Sequence, residues 1–145
     1  MISKPLFKIV SVCSFILGAI LGVFPLIPAL IGLSFFAVMF GIAPFMLIYL
    51  KKLNILKSIE IEESLVIGAV SGGVAILGFA TIYFPIAFIL QLIFKIQSFI
   101  WIKVLFVNIG FLIPMVILIA LTSALLNAFS GFLTAYFYQS FQNKK

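Results

Sequence analysis

Arginine, histidine and aspartate are missing from this chain of 145 residues, and only 8% of it is charged against 66% apolar. Soluble domains carry about a quarter charged and about half apolar residues. A fold of this length has a large surface for its volume, and so few polar side chains could not cover it in water. Without histidine there is no imidazole base. The three acids, Glu60, Glu62 and Glu63, sit in one cluster, so no second carboxylate stands elsewhere to pair with them in acid–base work. Zinc would lack ligands. Cys13 is the single cysteine, which excludes an intrachain disulfide. It has no candidate base except lysines, so nucleophilic catalysis is unsupported. No enzyme, cofactor or metal site is therefore expected.

The net charge of +6 comes from nine lysines. Nucleic-acid binding needs basic residues gathered on one solvated face. Here they stand at the edges of apolar runs, where membrane anchors are expected, so nucleic acid is not an expected partner.

What the chain has in abundance is long uncharged sequence. Ile9 to Leu50 carries no charge, and as one helix it would reach about 63 Å at roughly 1.5 Å per residue, about twice the hydrocarbon thickness. It must fold back, and Phe24-Pro25-Leu26-Ile27-Pro28 is the place, because proline lacks a donor and biases the residue before it away from helix. The first twenty residues also look like a signal peptide, with Lys4 and Lys8 ahead of an apolar stretch. No small-x-small cleavage site follows cleanly and the apolar run continues, so a first span is the expectation.

The fold class predicted is an all-α integral membrane protein, a single transmembrane domain over 1–145. Its four-helix bundle, two helical hairpins, has spans at about 6–24, 29–50, 64–84 and 111–138. Pro44 should kink the second helix rather than end it, since neighbouring helices can satisfy the carbonyl it frees. The polar loop 51–63 holds Lys57, with Lys51 and Lys52 after a helix end and the three glutamates before a helix start, so that both clusters complement the helix dipoles. Pro85 is expected to close the third helix at Phe84. Segment 86–107 follows, with Gln91, Lys95 and Ser98 at helical spacing and Trp101 near its end, which favours an amphipathic interfacial or re-entrant segment over a fifth span.

Orientation follows from lysine bias. With both termini cytoplasmic, Lys4, Lys8, Lys51, Lys52, Lys57, Lys144 and Lys145 lie inside and only Lys95 and Lys103 outside. The expected location is a bacterial cytoplasmic membrane. An internal echo places Ala19-Ile20-Leu21-Gly22 ahead of Phe24-Pro25 and Ala75-Ile76-Leu77-Gly78 ahead of Phe84-Pro85. Transporter folds use internal repeats, although the spacings within the two copies differ.

Membrane helices associate through close backbone approach, so small residues four apart are informative. Ser14, Gly18 and Gly22 form one such face. Gly68 and Gly72 form a second, and Ser123, Asn127, Gly131 and Ala135 a third. Ser71, Gly73, Asn108, Asn127 and Lys95 are the candidates for a polar pathway. Ser71-Gly72-Gly73 would unwind locally, Asn127 would hydrogen-bond across the bundle, and Lys95 would snorkel to the surface. No carboxylate, His or Arg falls within a predicted span, which argues against a proton-coupled small multidrug pump or a rotary-ring subunit. The function expected is a non-enzymatic membrane subunit or assembly protein acting through helix packing. Membrane lipids, with a second copy or another membrane protein, are the expected partners. The rival expectation is a small channel, transporter or hole-forming protein for ions or neutral solutes.

Overall fold

In the computed structural model, which describes residues 4–56 and 58–142, the chain is helical nearly throughout. Lys57, Lys144 and Lys145, three of the lysines behind the expected orientation, lie outside the described residues. Among the described residues four segments are long and apolar enough to cross a membrane: Lys4–Leu26, Pro28–Lys52, Ile61–Phe94 and Ile109–Phe141. A shorter apolar helix, Gln97–Val107, lies between the last two. The protein is an integral membrane bundle of four spans with an interfacial segment.

The first helix, α1 (Lys4–Leu21), begins with a proline in its first turn, where a missing donor is harmless. The chain reverses through two short 3-10 turns, Phe24–Leu26 and Pro28–Leu30, joined by an extended Ile27 as the proline after it requires. Ser34 then donates its hydroxyl to the Leu21 carbonyl and ties the two spans together beside the turn. The second span is one run of helical backbone whose α-type hydrogen bonding is interrupted midway. It runs as α2 (Ile31–Phe36), a π-helical turn (Ala37–Gly41) and α3 (Ile42–Lys52), with Pro44 just inside α3.

α3 ends in a Schellman arrangement, in which Ile55 N–H reaches Leu50 O at 3.1 Å and Asn54 N–H reaches Lys51 O at 3.0 Å. Asn54 supplies the left-handed residue that this closure needs, with φ 56°. Lys51 and Lys52 stand in the last turn of α3, and Glu62 and Glu63 in the first turn of the next helix, each matched to the nearby dipole.

That helix, α4 (Ile61–Phe94), corrects one expectation: Pro85 does not end it at Phe84. In lipid a helix end leaves up to four carbonyls without water, whereas one internal proline forfeits a single bond, so continuing is the cheaper course. Gln91, expected at the surface with Lys95 and Ser98, is instead buried within α4. The three residues share no helix face, because the helix stops at Lys95 in a left-handed conformation, φ 51°. The chain turns back through Gln97–Phe99 into α5 (Ile100–Val107), which lies against the end of α4. Phe88 stacks on Phe106 at 4.4 Å, and Phe84 meets Trp101 edge-on at 6.2 Å. The last helix, α6 (Ile109–Gln142), extends beyond the expected bounds of 111–138 at both ends and carries Pro114 inside it.

At 34 residues each, α4 and α6 are about 51 Å long at roughly 1.5 Å per residue, more than a straight crossing requires. They pack antiparallel in a four-residue register, in which Ser64 meets Gly131, Gly68 meets Asn127 and Gly72 meets Ser123. A Cβ on Gly72 would lie 2.5 Å from the Ser123 carbonyl oxygen, and one on Gly131 equally close to that of Ser64. α1 packs parallel to α4 on its other side, with Gly18 on Ala75 and Gly22 on Phe79. The two halves of the internal echo are thus direct neighbours. All three small-residue faces are occupied within the chain, which leaves α4 as the central helix.

Candidate functional site

The polar residues of α6 converge on the break in the second span. Pro44 has no N–H, so the carbonyl of Phe40, four residues earlier, loses its helical donor. The Ser130 hydroxyl donates to that oxygen at 2.8 Å. The π turn just before it leaves further groups to be satisfied, and Asn127 reaches them. Its amide nitrogen donates to the carbonyls of Val38 at 2.9 Å and Met39 at 2.8 Å. Its Oδ1 accepts from the Ala43 N–H at 3.0 Å. In an uninterrupted α-helix Ala43 would bond to Met39, so the side-chain amide is inserted as a bridge between a donor and acceptor of the second span.

Ser123 completes the cluster. Its hydroxyl donates to the Gly72 carbonyl at 3.0 Å and lies 3.4 Å from that of Val38, so one residue touches three spans. Asn127 also lies 3.1 Å from the Ser123 carbonyl and 3.2 Å from its Oγ. Ser123 and Asn127 are both fully buried. In a low-dielectric interior an unpaired amide or carbonyl costs about 1–3 kcal/mol, and this arrangement supplies partners to the Ala43 N–H and to the Val38, Met39 and Phe40 carbonyls. Such a network holds one conformation firmly. The glycines on α4 make it reachable, because Gly72 is what allows the Asn127 side chain to pass that close to the α4 backbone.

The break has a second consequence, towards the end of the bundle that carries Trp101. Above the π turn α2 no longer lies against α4 and α6, and a cavity of about 370 Å³ fills the wedge. Ile31, Gly32 and Phe35 form one wall and Met115, Val116 and Ile119 another. Tyr83, Phe84 and Trp101 close the end, in an aromatic cluster that also includes Phe79 and Phe99.

No protein-family model matches this chain, and neither a curated protein nor a solved structure matches it.

The candidate pathway residues do not converge. Asn127 sits in the network just described. Ser71 is buried but donates to the Gly68 carbonyl of its own helix at 3.1 Å. Gly73 faces a shallow apolar groove with Ala69, Val70 and Leu121. Asn108 is exposed at the α5–α6 junction and folds back on Val104 O at 3.0 Å, while Lys95 is exposed at the end of α4. The glycines 72 and 73 lie in regular helix, so no unwound carbonyls gather there. Ser14, Gly18 and Gly22 face α4, and Gly68, Gly72, Ser123, Asn127 and Gly131 form the α4–α6 seam. Among the described residues no three His, Cys, Asp or Glu side chains are placed to hold a metal ion.

Two features escaped the sequence reading. Ser130 lies seven residues beyond Ser123 and three beyond Asn127, on the same helix face, and that spacing was the signal for it. The cavity had none, since its walls come from four separate elements.

Proposed function

We propose that this chain is a non-enzymatic subunit or assembly partner of a bacterial cytoplasmic membrane, working through helix surfaces inside the bilayer, with both termini on the cytoplasmic side. The observation that carries this reading is the employment of the polar cluster. Ser123, Asn127 and Ser130 bond to the backbone of the protein's own second and third spans, and so hold a scaffold rather than face a substrate. The small-residue faces are likewise occupied internally. One face open to a partner is the outer side of α6, where Leu118, Leu121, Leu125 and Phe129 follow one another at helical spacing and Leu125 is 74% exposed. Purification in mild detergent tests this. A second copy or a co-purifying membrane protein, lost when Leu121 and Leu125 are replaced by Ala, is the expected result. A strictly monomeric, partner-free species overturns it.

The π turn in the second span favours a second reading, a small channel, transporter or hole-forming protein for ions or neutral solutes. π turns within α-helices recur at functional sites. Proteoliposome flux equal to that of empty liposomes would remove it.

A further inference from the structure

The cavity between α2, α4 and α6 exposes only apolar atoms, and its 370 Å³ falls at the lower end of the range of about 300–1,000 Å³ typical of small-molecule sites. A dry space of this kind does not recruit water, which needs polar partners. In a bilayer the molecules at its open side are acyl chains. Its walls match that chemistry, with aliphatic side chains from α2 and α6 and aromatic faces at the end.

Charge supplies the second half of the argument. Trp101, which closes the cavity, belongs to the segment between α4 and α6 that carries Lys95 and Lys103, both exposed. No acidic residue follows Glu63 in the sequence. That end of the bundle therefore presents cationic groups beside an apolar slot, with no acid to offset them. We propose that the wedge is a lipid site that takes one acyl chain of an anionic phospholipid from the bilayer, while Lys95 and Lys103 hold the phosphate of its headgroup. The site does not depend on whether α6 recruits a partner. A monomeric protein would hold the lipid equally well.

Trp101 is the only tryptophan and lines the slot, so it reports occupancy directly. The full chain is reconstituted in phosphatidylcholine vesicles that contain a small fraction of either brominated-chain phosphatidylglycerol or brominated-chain phosphatidylcholine. Trp101 fluorescence is then read. A lysine near an anionic headgroup is worth about 1 kcal/mol, so the two together are worth about 2 kcal/mol, roughly thirtyfold, and quenching should set in at about thirtyfold lower phosphatidylglycerol than phosphatidylcholine. The double change Lys95→Gln with Lys103→Gln should bring the two curves together. Filling the slot with Ala80→Phe, or with Gly32→Phe, should abolish the preferential quenching. A Cβ at Gly32 meets no atom within 4 Å, so that variant has room to fold, and circular dichroism verifies that both do. Equal quenching by the two lipids in the unmodified protein overturns the proposal. So does a phosphatidylglycerol preference that survives both filling variants, since the headgroup would then bind without the slot.

Discussion

Asn127 on the last helix and Ala43 on the second span are joined by a hydrogen bond of 3.0 Å from the Ala43 N–H to Asn127 Oδ1, at the place where a helix would normally satisfy itself. One side-chain amide thereby acts as a missing peptide group. The consequences run from stability to the shape of the lipid-facing wedge.

Asn127→Ala removes the donors to Val38 and Met39 and leaves the Ala43 N–H unpaired in a buried site. A loss of about 1–3 kcal/mol is expected, read as a lower midpoint in reversible unfolding with a mixed-micelle denaturant. No change in the midpoint would mean that the break satisfies itself without this residue.

Ser130 and Pro44 should be energetically coupled. Ser130→Ala alone is expected to cost about 0.6 kcal/mol, the usual worth of a hydrogen bond between membrane helices. In a Pro44→Ala background the restored N–H can serve the Phe40 carbonyl, so the same change should cost close to nothing. A double-mutant cycle measures the difference.

Glycine positions should divide sharply. Gly18→Ala places a methyl group against the Ala75 carbonyl, backbone against backbone, and should destabilise the protein by about 1–3 kcal/mol as overpacking does. Gly110→Ala, with open space around it, should be neutral or gain up to about 1 kcal/mol from helix propensity. Thermal aggregation midpoints in detergent compare the two.

Lys95 adopts a left-handed conformation that glycine accepts without penalty. Lys95→Gly should raise stability by about 1 kcal/mol while it weakens the phosphatidylglycerol preference seen by Trp101. Stability and lipid selectivity would then move in opposite directions, which a purely structural role for Lys95 does not produce.

Topology is open to direct measurement. In a background with Cys13 replaced by Ala, single cysteines at the exposed positions of Ser58, Ser98 and Ser140 can be labelled with an impermeant thiol reagent in intact cells. Only Ser98→Cys should react. Ser58→Cys and Ser140→Cys should require permeabilised membranes, since Gln139 Nε2 bonds to Ile59 O at 3.1 Å and so holds their two segments together at one surface. Labelling of Ser58→Cys in intact cells would reverse the orientation.

Residence in lipid, four spans and the continuation of the second helix through Pro44 were all legible in the sequence. Transfer into a bilayer is close to a sum over residues, and a proline removes its donor wherever it stands. The small-residue stripes were also visible, because helical periodicity is local. What they faced was not. Gly18 could equally have met another copy, and only the folded chain puts it on Ala75. The same holds for Pro85 and Gln91. The one fails to end a helix and the other is buried, because neighbours from distant sequence decide whether a backbone group or an amide is worth shielding. Asn127 was recognisable as a cross-bundle donor, but the choice of Met39 and Ala43 as its partners belongs to tertiary structure alone. Hydrogen bonds need atoms within about 3 Å, and across more than eighty residues of chain no pattern in the sequence specifies that distance.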